Sequence, residues 1–221
     1  MQMGRIQYLL MVVLLLGLVI GLCYTSQAVK KPVTYPELMS KKPKIKEMVS
    51  LLLREKDEGK KRKAANKLAE LMDKVDTVLV DYDAIRGIDE VEIEVIKADN
   101  RPSVTTYNMD SLFSQGVIAK HQPFEVTKDR GSRYLIVYVE SWRIVYVTIN
   151  GQSSVYSLGM GLNVFILDRE TESLLYHTGV LAQVTPVLED MNAVCYELTQ
   201  QAIEGVRRYL DSLVKVHTET E

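Results

Sequence analysis

The chain has 221 residues, 47% hydrophobic and 25% charged, a composition that excludes global disorder and collagen-like repeats. Its formal charge of −2 conceals three unequal blocks. Residues 1–29 carry Arg5 as their one charged side chain, residues 30–67 hold 13 Lys/Arg against 5 Asp/Glu, and residues 68–221 hold 13 against 24. Two cysteines and three histidines provide neither a disulfide framework nor a zinc site.

The run Tyr8–Cys23 holds 16 residues without a charge, and Lys30 and Lys31 follow it. A helix crossing the hydrocarbon core needs about 20 apolar residues, and a signal-peptide core about 7–15. Three fates are open. Cys23 can become a lipidated amino terminus, with Ile20 as the aliphatic residue three positions before it, although Leu22 is larger than the small residue a lipobox places there. A signal peptidase can cut after Ala28, because Ser26-Gln27-Ala28 approximates its small-x-small pattern. The run can also stay as an uncleaved anchor. Lipidation heads the three, and all of them attach the chain to a membrane or export it. Against export stands the basic block after the run, which the positive-inside rule would keep in the cytoplasm.

Residues 24–43 read as a linker, rich in proline and lysine between Val29 and Pro43. Ile45, Met48, Val49 and Leu52 then recur at helical spacing, and Ala64, Ala65, Leu68, Leu71, Met72 and Val75 resume it. This predicts two short helices, or one broken near Gly59, in a basic segment spanning 44–87. Lys60, Lys61, Arg62 and Lys63 read as a solvated face, since no aromatic residue interleaves them as a nucleic-acid platform requires. After Gly87 the period falls to two, and Val91, Ile93 and Val95 alternate with Glu92, Glu94 and Ile96, predicting a strand. A helix over about 105–115, stopped by Gly116 as a left-handed cap, and a short strand over 123–127 follow.

Tyr134–Ile149 is β-branched and aromatic almost throughout, with Glu140-Ser141 its weak point. Asn150-Gly151 supplies a two-residue hairpin turn. A returning strand over 153–167 carries Gly159 and Gly161, expected to mark a bulge or coil, and a further strand covers 174–183. Thr185-Pro186 reads as the cap and first turn of a closing helix. Its stripe runs through Leu188, Met191, Val194, Cys195, Leu198, Ala202, Val206, Tyr209, Leu210 and Leu213. The expected fold is α+β: an antiparallel long-strand meander with two packed helices over 88–216, preceded by a signal or anchor segment (1–23) and followed by a tail (217–221).

No HExxH, GxSxG, P-loop or CxxC motif is present, so the reading has no catalytic, metal or cofactor residues. The pairs Asp81/Asp83 and Asp89/Glu90 could hold a hard cation but read better as exposed turn positions. His121 and His177 are isolated, Cys195 sits inside an apolar stripe, and Trp142 reads as a sheet anchor.

From Val91 onward the element order resembles the α+β module of Gram-negative envelope lipoproteins: the TolB amino-terminal domain, CsgG and the penicillin-binding-protein activators. The segment Arg133–Leu181 carries the likeness, with "RYLIVYVESW" and "VFILDRETESLLYHTG" placing Asp168, Thr171 and Gly179 at matching positions. Thr34–Pro43 is similar to the post-signal linker of small outer-membrane lipoproteins in the group. The resemblance implies a non-catalytic, periplasm-facing lipoprotein of the outer membrane, lipidated at Cys23. It would act as an accessory or docking factor in assembly, secretion or transport. Its implied partners are the membrane and other envelope proteins, with a homo-oligomer as an open option and no nucleic acid. Two alternatives stand beside it: a cytoplasm-facing anchored protein binding anionic lipid through 30–67, and a periplasmic small-ligand carrier.

Overall fold

The computed structural model describes residues 32–75, 77–102, 111, 113–127, 131–185, 187 and 190–215. Thr34 opens the first helix with a reciprocal cap. Its Oγ1 accepts the Glu37 N–H at 3.4 Å and its own N–H donates to Glu37 Oε2 at 3.3 Å, satisfying two donors that a helix start leaves orphaned. Strand β1 (Val33–Thr34) therefore leads straight into α1 (Tyr35–Lys41), where a linker was expected. Pro43 begins α2 (Pro43–Arg54), and the Asp57 carboxylate caps α3 (Glu58–Met72) by accepting the Lys60 N–H at 2.8 Å. The break expected near Gly59 falls at 55–57 instead, because Asp57 is the cap and Gly59 lies inside α3.

Strand β2 (Val78–Leu79) pairs in parallel with β1, and Asp81 caps the short α4 (Tyr82–Arg86). Then come β3 (Glu90–Ile96), α5 (Gln115–Ala119) and β4 (Glu125–Val126). The expected helix over 105–115 lies mostly outside the described residues. Gly116, read as its stop, sits within α5, which Ser114 caps. The long strands are β5 (Tyr134–Ile149), β6 (Gln152–Asp168) and β7 (Ser173–Val184), and α6 (Met191–Lys215) follows them. Asn150 and Gly151 turn with φ of 52° and 79°, the positive pair a type I′ hairpin requires.

The five-stranded sheet has the order β4-β3-β5-β6-β7. The meander β5-β6-β7 is antiparallel as expected, but β3 runs parallel to both β4 and β5, so the sheet is mixed. The fold is α+β. The expected bulge at Gly159 and Gly161 lies elsewhere, at Tyr156 and Leu175, which the β5-β6 and β6-β7 registers skip. The two glycines serve close approach: a Cβ at Gly161 would stand 2.5 Å from Ser141 Oγ.

Helices cover both faces of the sheet. Ile136, Tyr138, Trp142, Val164 and Ile166 join one core with Val194, Cys195, Leu198, Ala202, Val206 and Leu210 of α6. Leu135, Val137, Val139, Phe165 and Leu167 join a second core with Tyr35, Leu38, Ile45, Val49, Leu52, Ala65 and Leu68. This explains why β5 shows no polar alternation in its first half: both of its faces are buried. Beyond the two helices expected on the 88–216 sheet, α1, α2 and α3 form a further layer on it, and Val33 onward is one compact unit. Gly205 lets α6 settle against β7, where a Cβ would meet Val180 Cγ1 at 2.9 Å. Tyr209, read into the α6 stripe, is exposed. Thr185 does not cap α6; its hydroxyl donates to Ser157 Oγ at 2.6 Å, and the helix begins at Met191. Pro186 and Leu188, the tail 217–221 and the run 1–23 lie outside the described residues.

Candidate functional site

Two buried carboxylates organise the sheet. Glu140 is fully enclosed on β5, where burial of an unpaired charge would be prohibitive. Arg101 grips both its oxygens, its Nε at 2.7 Å, while Trp142 Nε1–H and the Ala98 N–H donate at 2.6 and 3.0 Å. The Asn100 amide donates to the Trp142 carbonyl at 2.7 Å, so the chain after β3 is stitched across the edge of β5. Asp168, at the end of β6, accepts from Arg133 and from the N–H groups of Glu170 and Thr171. Burial opposes its ionisation, but Arg133 and those backbone donors outweigh it and hold the carboxyl below its usual range. Both groups are satisfied within the fold, and their geometry is that of clamps.

The residues singled out in the sequence scatter. Asp81 caps α4 by accepting the N–H groups of Asp83 and Ala84, while Asp83 and Asp89 face solvent. Among the described residues no group of three or more His, Cys, Asp or Glu converges as a metal site would need, and no helix is long and apolar enough to cross a membrane. His121 holds its ring Nδ1 against the Val117 carbonyl at 2.8 Å. Cys195 is buried in α6, and burial first, with Asp190 second, pushes its thiol up to about 11. Within the basic run of α3, Lys60 meets Glu55 at 3.9 Å, Lys61 pairs with Glu94 and Arg62 with Asp99, so three of its four cations already face an acidic partner. Cys23 lies outside the described residues.

A cavity of about 270 Å³ opens between α1, the chain around β2, and β7, lined by Tyr35, Met72, Val78, Val80, Tyr176 and His177 among others. It falls just under the roughly 300–1,000 Å³ of small-molecule pockets. His177 stacks on Phe165 at 4.8 Å and donates from Nε2 to Asn163 Oδ1 at 3.1 Å. Burial pushes its imidazole down to about 4, so it is neutral at pH 7.

The outer edge of β7 is the feature that sequence reasoning did not place. Its first half is closed by α1: the Leu174 N–H meets Met39 Sδ at 3.3 Å and the His177 N–H donates to the Tyr35 hydroxyl at 2.9 Å. With the strand's period of two, the backbone groups of Gly179, Leu181 and Gln183 point the same way as those of His177, and no described strand pairs with them. Leu181 is 58% exposed there. An edge strand normally carries charge or proline as protection, and Ser173–Val184 has neither. That missing protection was the signal available in the sequence.

No family model matches the chain, and no curated protein does. Among solved structures, a hypothetical protein of Chlamydia trachomatis is 10% identical, with a TM-score of 0.42, covering 59% of this chain and 100% of its own. A minor lipoprotein of Acinetobacter baumannii is 14% identical, with a TM-score of 0.33 and coverage of 55% and 94%. The rare lipoprotein B of Shewanella oneidensis is 9% identical, with a TM-score of 0.28 and coverage of 58% and 95%. Likenesses this loose transfer no function.

Proposed function

We infer that the protein is an envelope lipoprotein of the TolB amino-terminal/CsgG-like group, anchored at Cys23 on the periplasmic side of the outer membrane. It acts as a docking factor for other envelope proteins. Membrane attachment rests on the uncharged run Tyr8–Cys23 with basic residues behind it. Docking rests on one observation: among the described residues no strand pairs with the outer edge of β7, which carries neither charge nor proline, and Leu181 is exposed beyond His177. Such an edge recruits an extended segment as an added strand, in which main-chain hydrogen bonds supply affinity and Leu181 supplies a side-chain contact.

A photo-cross-linking residue at position 181, in the full chain in an exporting bacterium, tests this. A discrete adduct with one envelope protein is expected, absent when the probe sits at the exposed Lys63 of α3. Equal adducts from both positions, or none from 181, would overturn the docking role.

A further inference from the structure

Strand β5 is longer than its partner on one side. β3 pairs with it from Tyr134 to Val139, and the chain at Ala98–Arg101 covers it as far as Trp142. Beyond that point Arg143–Ile149 continues, paired among the described residues to β6 alone. Between Arg143 and Asp168 the sequence has no charged residue. Tyr146 is 61% and Ile149 65% exposed, and Val145 and Val147 are exposed beside them.

The Trp142 carbonyl points away from β6, since it accepts from Asn100. By the same period of two, Ile144, Tyr146 and Thr148 direct their N–H and C=O groups outward. Among the described residues this is a two-stranded ribbon whose outward edge has no strand partner, with mostly apolar side chains and Arg143 as its one charge. A lone two-stranded ribbon is marginal in water, whereas three or more strands are stable. A bilayer is a poor cover for such an edge, because lipid cannot satisfy open backbone groups.

We propose that this edge is covered by a second copy of the same chain, β5 against β5 in antiparallel register about Tyr146. In that register Tyr146 faces Tyr146 of the other copy, Ile144 faces Thr148, and Val145 faces Val147. Arg143 meets Ile149, so no like charges oppose. The outward groups of Ile144, Tyr146 and Thr148 all find partners. The pairing uses the whole seven-residue overhang and stops where Asn100 closes the edge at Trp142. It joins two ribbons into four strands, β6-β5-β5-β6, which meets the threshold for a stable sheet. The pairing does not depend on the β7 docking reading.

The experiment is oxidative cross-linking of the full chain in its membrane. In an antiparallel hydrogen-bonded pair the facing Cα atoms stand about 5.5 Å apart, within disulfide range. Tyr146→Cys should give a disulfide-linked dimer well above the wild-type background set by Cys23 and Cys195. Thr148→Cys alone should not, but mixed with Ile144→Cys it should cross-link. Adding Val145→Glu and Val147→Glu to Tyr146→Cys sets acids opposite one another and should cut the dimer yield at least tenfold. Monomeric Tyr146→Cys, equal yields at 146 and 148, an adduct with a different protein, or burial of position 146 in lipid instead would each overturn the pairing.

Discussion

At the scale of single residues, buried polar groups decide more than catalytic motifs do. Glu140 follows six apolar or aromatic residues of β5, and read as sequence it looks like a defect. Its meaning depends on Arg101, thirty-nine positions earlier, and no local pattern announces a partner so distant. His177 is a second case. An unfolded imidazole takes its proton near pH 6.5, whereas burial in the fold delays this to about 4, with Asp73 pulling weakly the other way. Between those values the unfolded chain binds more protons, so stability is complete above pH 6.5 and falls as pH drops towards 4. Asp168 and Glu92, whose carboxyls are held low, lose their contributions only beneath their unfolded values of 3.8 and 4.5. Unfolding free energies from urea titrations at pH 7 and 4.5 should therefore differ by about 2–3 kcal/mol from His177, the lower pH being less stable. His177→Phe should flatten that part of the curve, and an unchanged slope would refute the assignment.

At the scale of elements, β5, the Asn150-Gly151 turn and the β6 return are legible because composition, period and turn chemistry agree over more than thirty residues. The parallel pairing of β3 is not legible, because β4 is two residues long and pairing partners are chosen by distant packing. The α1 start was written in Thr34 and Glu37, but the lysines and prolines around it mask the capping box. The double-sided burial of β5 implies helices on both faces, and α1–α3 supply the second layer. If that layer is integral, its core residues belong to the same cooperative unit as α6. Leu68→Ala and Leu52→Ala, both fully buried, should each cost about 2–5 kcal/mol. Each should shift a single unfolding transition seen alike by far-ultraviolet circular dichroism and Trp142 fluorescence. A separate early transition for the helical layer would show instead that it docks as an accessory.

At the scale of the whole molecule, helices cover both faces of the sheet, and among the described residues β7 beyond His177 and the overhang of β5 have no outer strand partner. The first has no charge to discourage pairing and the second has Arg143 alone, in a chain that is 25% charged. The candidate site is therefore legible only as an absence in the sequence, and its location needed the register of the strands. Anchoring at Cys23 would tether the chain to a membrane, where partners and other copies are concentrated. The most direct test of that account is the intact mass of the protein purified from membranes of an exporting bacterial host. The expected mass is that of a chain that begins at a triacylated Cys23. A chain still carrying Met1, with no lipid, would contradict it and place the basic residues 30–67 at an anionic cytoplasmic surface instead.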